Sequence, residues 1–441
     1  MMAGDKYGHV AALRPARSVA HRPAPLRAAN RDDGLAQLLG AGVAKNQYGE
    51  HLAVRHWFAQ PEFRRPSTQA VGLLSRTRNE PLQRRTRTAL EDPSKWLFLD
   101  TETTGLAGGT GTYPFLVGVA WWDAGGLQVE QFFMRDFSEE HSILRELATR
   151  LAERPVLVTF NGKSFDWPLL ENRFVMTRSI KTPALAGHFD LLHPARALWK
   201  LRLGSVRLIE LEHQVLDARR LGWNREDDIT SALIPQYYFD YLRGGDCAPL
   251  AGVLRHNQMD LRGLAALFGR ISEMLTPGEG HSEAANGLDL FGLSRFLTRR
   301  GESERAREAC SQALDAGLPA EFRPRATREL AQLAKRRGDY EAAAALWQEL
   351  ATDEQDGVLA CEQLAIHYER RMKDLARAAE FAHLGLAKLR RQKSCSGDPC
   401  AISRAARLAE KFTARISRLQ SRVTRPSTSG ENCLEHTALA D

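Results

Sequence analysis

The amino-acid sequence predicts an α/β domain followed by an all-α domain of helical repeats. Between residues 95 and 275, apolar runs of strand length alternate with amphipathic helical patterns, which is typical of an α/β fold. Beyond this region only helical patterns follow, and segments 295–314 and 332–350 align with a shift of 37 residues. With 441 residues, the chain is long enough for two or three domains.

Residues 1–94 are predicted to form a basic and largely disordered region, in which 46–58 favours a short strand or hairpin. The first 95 residues hold 16 Lys/Arg against 8 Asp/Glu, whereas the whole chain has a net charge of +7. The positive charge is densest in a segment that contains Arg76, Arg78, Arg84, Arg85 and Arg87. Such a segment could hold phosphate groups of nucleic acid by counterion release, or it could be a solubilising linker.

The α/β domain is predicted from residue 95 to residue 275. Its expected elements are strands at 96–102, 113–122 and 127–134, a helix at 138–152, a strand at 155–160 and a helix at 165–177. Residues 203–246 are expected to form a helical insertion, which ends in an aromatic cluster. These aromatic side chains either stack on bases or pack in the core.

Two carboxylates close the first strand of the α/β domain. Asp100 and Glu102 are two residues apart, so they share one face of the strand, and their like charges repel unless a cation lies between them. Asp166 begins a later helix, and Asp260 lies on a long helical pattern four residues after His256. Hard oxygen ligands in this arrangement suit Mg²⁺ or Mn²⁺. Asp166 could instead cap its helix, and His256 could be a packing histidine.

Four acids in this order fit a site that hydrolyses phosphodiesters with two metal ions. One ion would lower the pKa of an attacking water, and the other would stabilise the leaving 3′-oxygen. His256 is placed to take the proton from that water as a general base.

Three short motifs carry a family resemblance over residues 95 to 270. DTET (100–103), NGKSFD (161–166) and HNQMD (256–260) resemble the motifs of the DEDD, or DnaQ-like, 3′→5′ exonucleases, which have a ribonuclease H-like fold. DTETTGLAGGTGTYPFLVGV together with HNQMD resembles the bacterial YprB-type branch, which often carries tetratricopeptide repeats behind the nuclease domain.

The resemblance implies a ribonuclease H-like nuclease that acts on the 3′ end of single-stranded or frayed DNA or RNA. It implies that two divalent ions, Mg²⁺ or Mn²⁺, bind to Asp100, Glu102, Asp166 and Asp260. The histidine subclass usually has its base five residues before the last Asp, whereas His256 stands four before, as the tyrosine of the other subclass does. Thr103 and Gly105, in a glycine-rich connection beside the acids, could contact the nucleic-acid backbone, or the connection could be a plain hairpin loop.

The helical repeats are predicted to span residues 286–423. A weaker third copy occupies 367–386, and 402–423 has an apolar stripe that indicates a capping helix, with nucleic-acid or membrane contact as the alternative. The series Ala306, Cys310 and Ala313 resembles the second helix of a tetratricopeptide repeat, which implies a protein partner. Residues 424–441 are expected to be a disordered tail.

These observations together predict a metal-dependent nuclease. A structure-specific endonuclease on the same fold and a non-catalytic scaffold are the alternatives. We expect no membrane partner, because no apolar run approaches the roughly 20 residues that span a bilayer. The N-terminus has no hydrophobic signal region, and the six cysteines are scattered, so we expect a cytoplasmic protein.

Overall fold

The computed structural model of the protein describes residues 29–59, 66–75, 84–105, 111–123, 125–278, 286–353, 356–395 and 399–423. Within these ranges, a mixed α/β domain is followed by a region that consists of helices. The predicted fold class, an α/β domain followed by an all-α domain, is confirmed.

A seven-stranded sheet organises the α/β domain. Its strands are β1 (Gly42–Asn46), β2 (Gly49–Ala59), β3 (Trp96–Thr103), β4 (Pro114–Asp123), β5 (Gly126–Phe133), β6 (Val156–Thr159) and β7 (Gly187–Asp190). Their spatial order is β1-β2-β5-β4-β3-β6-β7. The pairs β1–β2, β2–β5, β5–β4 and β4–β3 are antiparallel, whereas the pairs β3–β6 and β6–β7 are parallel. The strand β3 therefore lies between the antiparallel meander and the parallel half of the sheet.

In the part of the α/β domain that the structure describes, nine α-helices surround the sheet or pack at its edges. They are α1 (Ala29–Leu39), α2 (Thr68–Ser75), α3 (Arg84–Glu91), α4 (Glu140–Glu153), α5 (Asp166–Thr177), α6 (Leu192–Leu203), α7 (Leu208–Leu211), α8 (Ile234–Leu242) and α9 (Ala248–Leu275). The longest of them, α9, contacts β3, β4 and β5. It therefore brings residues from late in the chain to the centre of the sheet.

The alternation of side chains along β3 places its residues in two separate cores. Trp96 and Phe98 pack in the core that includes the second half of α9, whereas Leu97 and Leu99 pack in the core that includes α4 and α5. By the same alternation, the side chains of Asp100 and Glu102 lie on the same face of β3 as those of Trp96 and Phe98.

The predicted hairpin near residues 46–58 forms β1 and β2, and β2 pairs with β5 over eight residues, from Leu52↔Phe133 to Ala59↔Gly126. Leu52 and Val54 are buried in the core of the sheet. The strand β5 therefore pairs on one side with β4 and on the other with β2, which comes from the region before residue 94. The domain boundary expected at residue 94 falls within one continuous sheet.

The aromatic cluster at the end of the predicted insertion packs in the interior. Tyr238 is buried and its ring is stacked on Phe115 with centroids 4.1 Å apart. Tyr241 is also buried and its ring lies against Phe133. Of the two interpretations of this cluster, core packing describes these two tyrosines.

Among the described residues of the C-terminal region there are seven further α-helices. They are α10 (Gly287–Arg300), α11 (Ser303–Asp315), α12 (Arg323–Arg337), α13 (Tyr340–Leu350), α14 (Gly357–His367), α15 (Leu375–Cys395) and α16 (Pro399–Val423). Each helix packs on the next along the chain. Glu369, which is buried, accepts hydrogen bonds from Arg415 and Arg418 of α16 and fixes the last helix to the preceding ones.

The C-terminal helices are attached to the α/β domain through α10 and α6. Gly292 of α10 lies so close to α6 that an added Cβ would be 2.3 Å from the Leu198 carbonyl oxygen. The Nε atom of Arg202 on α6 lies 2.8 Å from a carboxylate oxygen of Asp289 on α10. In the ranges that the structure describes, each helix is too short or too polar to cross a lipid bilayer.

Candidate metal centre

The candidate site is built at the end of β3, where Asp100 and Glu102 follow the buried run Trp96–Leu99. Asp100 pairs with Gly118 of β4 in the antiparallel register, so its backbone is fixed by the centre of the sheet. The register shifts after Glu102, at the junction with Thr103. Such an irregularity ends the pairing and changes the direction of the chain next to the two acids.

Asp100 is held in place by an amide network from α9. The side-chain amide of Asn257 donates to Asp100 Oδ2 at 2.8 Å, and its carbonyl oxygen accepts from Gln131 at 2.8 Å. Gly118 makes this contact possible, because a Cβ there would lie 2.1 Å from Asn257 Oδ1. The orientation of Asp100 thus depends on residues from three elements of the fold.

Asp166 reaches the end of β3 from the first turn of α5. The hydroxyl of Thr101 donates to Asp166 Oδ1 at 2.6 Å, which links this acid to the residue between Asp100 and Glu102. The helix α5 begins directly after a tight turn in which Asn161 has a left-handed backbone with φ of 66°. Position and hydrogen bonding together bring Asp166 beside the two acids of β3.

Asp260 and His256 approach the same acids from α9. One ligand atom from each of Glu102, His256 and Asp260 lies within 4.8 Å of the others, a spacing that can enclose a metal ion. His256 Nε2 is 4.0 Å from Glu102 Oε1 and 3.5 Å from Asp260 Oδ2. The four-residue spacing places His256 and Asp260 on one helical face, as expected from the sequence.

Burial, together with the charges of neighbouring acids, raises the pKa of three of the acids. Burial raises the pKa of Asp100 well above its ordinary value, and the nearby charges of Asp260, Glu102 and Asp166 raise it further. Burial likewise raises the pKa of Glu102 to about 8, against a partial lowering by His256. Burial also raises the pKa of Asp166, while the hydrogen bond from Thr101 lowers it. A divalent cation would remove this penalty, and the oxygen-rich donor set fits Mg²⁺ or Mn²⁺.

His256 has a carboxylate partner that the sequence did not indicate. Its Nδ1 atom lies 2.9 Å from Asp228 Oδ1 and 2.8 Å from Asp228 Oδ2. Burial alone would lower the pKa of His256, but the hydrogen bond with Asp228 and the charges of Asp260 and Glu102 outweigh burial and raise it.

A buried arginine links the acids around the histidine. Arg225 donates to Asp260 Oδ1 at 2.5 Å and to Asp228 Oδ2 at 2.9 Å. Two further hydrogen bonds of 2.7 Å join its guanidinium to both carboxylate oxygens of Glu212. Gly263 leaves the room that Glu212 needs, since a Cβ there would lie 2.0 Å from Glu212 Oε1.

Asp190, at the end of β7, has a structural role. Its carboxylate accepts hydrogen bonds from the backbone N–H groups of Asn161, Lys163 and Leu192. It therefore fixes the turn before α5 and the start of α6, and it acts on the site by fixing the chain that leads to Asp166.

The basic cluster expected to bind nucleic acid is described only in part. Arg76 and Arg78 lie outside the described residues, and Arg84 and Arg85 are described only as backbone of α3. The side chain of Arg87 is exposed, one turn before Leu90.

Helix α3 packs at the end of the sheet opposite to the acids. The Leu90 carbonyl accepts a hydrogen bond from Trp96, the first residue of β3, and the Leu90 side chain packs on Gly187, the first residue of β7. Four strand residues, about 13 Å, separate Trp96 from Asp100. A nucleic-acid contact at Arg87 would therefore be remote from the acids.

Thr103 and Gly105 do lie next to the acids, directly after Glu102. The hydroxyl of Thr103 donates to the Gly105 carbonyl oxygen at 2.9 Å. The space where a Cβ of Gly105 would lie is open among the described residues. A nucleic-acid contact by these two residues is compatible with this geometry and stays a prediction.

Comparison with known proteins relates the chain to a protein family and to a bacterial protein. A family model described as the RNase_H superfamily matches residues 97–272, which include the four acids on β3, α5 and α9. A protein of Bacillus subtilis strain 168, described as "Uncharacterized protein YprB", is 30% identical over 327 residues. The aligned region covers 73% of this chain and 74% of that protein.

Proposed function

Because the chain belongs to the ribonuclease H superfamily, we propose that it is a metal-dependent 3′→5′ exonuclease of the DEDD type. The observation that carries this proposal is the convergence of Glu102, His256 and Asp260, whose ligand atoms lie within 4.8 Å of one another. Asp100 and Asp166 adjoin this cluster, since the charge of Glu102 raises the pKa of Asp100 and the charge of Asp166 raises the pKa of Glu102. The substrate is the 3′ end of single-stranded or frayed DNA or RNA.

Asp100, Glu102, Asp166 and Asp260 would hold two divalent ions, Mg²⁺ or Mn²⁺. These ions, when bound, supply activation of a water and stabilisation of the charge on the leaving 3′-oxygen. The chain itself supplies their ligands in a fixed arrangement, since Asn257 orients Asp100 and Thr101 orients Asp166.

His256 would act as the general base that takes the proton of the attacking water. Its Nε2 atom points toward Glu102 and Asp260, while its Nδ1 atom is engaged by Asp228. A nitrogen that faces the ligands can accept a proton within the site. The products would be nucleoside monophosphates, and the 3′→5′ direction rests on the family resemblance.

The remaining parts of the chain would serve the substrate and its delivery. Thr103 and Gly105 would contact the nucleic-acid backbone beside the acids, and the arginine-rich segment 76–88 would hold more distant phosphates. The helix pairs that begin at Gly287, Arg323 and Gly357 would form tetratricopeptide-like repeats that bind a protein partner. We place this activity in the cytoplasm.

A degradation time course tests the proposal directly. Single-stranded DNA and RNA labelled at the 5′ end would be incubated with wild type or Asp100→Ala in Mg²⁺, Mn²⁺ or EDTA. Asp289→Asn would serve as a control, since this half-buried carboxylate pairs with Arg202 at the contact between α10 and α6, outside the candidate site. We expect a ladder that shortens from the 3′ end in wild type and control, and loss of this ladder in Asp100→Ala and in EDTA.

Each other result has a defined meaning. Internal oligomers released at the earliest times would show a structure-specific endonuclease instead. Intact label with both polymers and both metals would overturn the catalytic proposal and favour a binding scaffold. Folding of Asp100→Ala would be checked by its melting temperature, which should not fall, because removal of one acid of the cluster relieves repulsion.

A further inference from the structure

The predicted insertion brings a carboxylate to the inner nitrogen of His256. The side chain of Asp228 is only 7% exposed, and both of its oxygens lie within 2.9 Å of His256 Nδ1. An ionised carboxylate is only an acceptor, so the ring hydrogen at this contact must be carried by Nδ1. In a neutral ring the other nitrogen, Nε2, then carries no hydrogen.

The bare nitrogen faces the candidate metal ligands. Nε2 lies 3.5 Å from Asp260 Oδ2 and 4.0 Å from Glu102 Oε1. The hydroxyl of Ser231 lies 3.3 Å from the same nitrogen. The ring is therefore held in one orientation by groups on both of its nitrogen atoms.

The carboxylate of Asp228 is itself held in a frame. Its Oδ1 accepts from the backbone N–H of Ile229 at 2.9 Å, and its Oδ2 accepts from Arg225 at 2.9 Å. Arg225 also binds Asp260 Oδ1 and is anchored on Glu212, which is completely buried. One guanidinium group thus fixes the partner of the histidine and the last of the four acids together.

We propose that Asp228 is a positioning residue for His256, which selects the tautomer with a bare Nε2 and aims that nitrogen at the reacting water. Arg225 holds the carboxylates of Asp228 and Asp260 in fixed positions relative to each other. The insertion therefore completes the site formed by the sheet and α9. This inference rests on the proposed nuclease function and adds the residues that orient its base.

Substitution of Asp228 by Asn removes the preference for one tautomer. The carboxylate offers acceptors to three donors, on His256, Arg225 and Ile229. The amide of D228N has a single acceptor oxygen, and its NH₂ group favours the opposite tautomer where it meets Nδ1. We expect kcat to fall about 10- to 100-fold with KM within about twofold, because a substrate-binding contact is not lost.

A double-mutant cycle shows whether the effect passes through the histidine. If Asp228 acts only on His256, D228N should cause no further loss in an H256Q background. The Asp289→Asn control should match wild type in both kinetic constants. An equal loss from D228N with and without His256, or an unchanged kcat in D228N, would overturn the inference while the nuclease function of the wild type stands.

The tautomer can also be read without activity. In metal-free wild type labelled with ¹⁵N-histidine, the His256 signals, assigned by their absence in H256Q, should show a protonated Nδ1 and a bare Nε2 in the neutral ring. The opposite assignment would refute the inference even if D228N failed to fold. Conversely, a wild type without nuclease activity but with this tautomer would refute the proposed function and leave the orientation of His256 established.

Discussion

Replacement of Glu102 by Gln should stabilise the metal-free protein, and the gain should grow with pH. Glu102 is confined with three other acids, and burial raises its pKa to about 8 from an ordinary value of 4.5. Between these two pH values the unfolded chain is ionised at this residue, whereas the folded protein keeps the proton. The free energy of unfolding therefore falls as pH rises through this window.

The size of the effect follows from the two pKa values. Each pH unit in the window corresponds to about 1.4 kcal/mol, so the penalty is about 3 kcal/mol at pH 7 and levels off near 5 kcal/mol above pH 8. Glutamine has nearly the same shape and no charge, so E102Q removes this penalty. For an unfolding unit of the size of the α/β domain, about 3 kcal/mol corresponds to roughly 6–12 °C in melting temperature.

The assay is thermal melting in EDTA at about pH 5, 7 and 9, which brackets the window. The difference between E102Q and wild type should be small at the lowest pH and largest at the highest. Addition of Mg²⁺ or Mn²⁺ should raise the melting temperature of wild type and do so much less for E102Q. The matched control is E153Q, since the side chain of Glu153 is half exposed and pairs with Arg150 and Arg154 instead of with other acids. A stability difference that does not change with pH would refute the assigned cause.

Three further substitutions test other parts of the structure. G118A should lower the free energy of unfolding by about 1–3 kcal/mol and also lower nuclease activity, because the new methyl group would displace Asn257. G269A has open space for the methyl group on α9 and should instead raise the free energy of unfolding by about 0.5–1 kcal/mol. Melting curves of the two variants measure the difference. D190N should cost about 1–3 kcal/mol in denaturant unfolding, because an amide cannot accept all three backbone N–H groups. E369Q should speed hydrogen exchange in α16 without changing nuclease activity on short substrates, since the arginines of α16 lose their anionic partner.

Local patterns were sufficient to predict the sheet elements that carry the acids. The strand expected at 113–122 is Pro114–Asp123, and the helix expected at 165–177 is Asp166–Thr177. These elements are encoded by continuous apolar runs and by a turn, all within a few residues. The positions of Asp100 and Glu102 on one face of β3 follow from strand geometry alone.

The groups that orient the acids could not be predicted, because their contacts join distant parts of the chain. Asn257 lies 157 residues from Asp100, and Arg225 lies 35 residues from Asp260. The periodicity of apolar residues does not predict such contacts, and Arg225 lies in a segment with little regular secondary structure. The pairing of β2 with β5 was missed for the same reason, since register between separate strands depends on tertiary packing.

The spacing of His256 and Asp260 has a physical explanation in the packing of α9. Arg255, five residues before Asp260, has an exposed side chain and donates to the Asp227 carbonyl oxygen, so this position of the helix faces away from the acids. His256 is buried with its Nε2 toward Asp260, and Asn257 is buried against Asp100. On this helix, a histidine five residues before the last acid would occupy the exposed position of Arg255 and would point away from the acids. The spacing of four is therefore the one that brings a histidine to the acids, and Asp228 can engage it there because the insertion passes over the same turn.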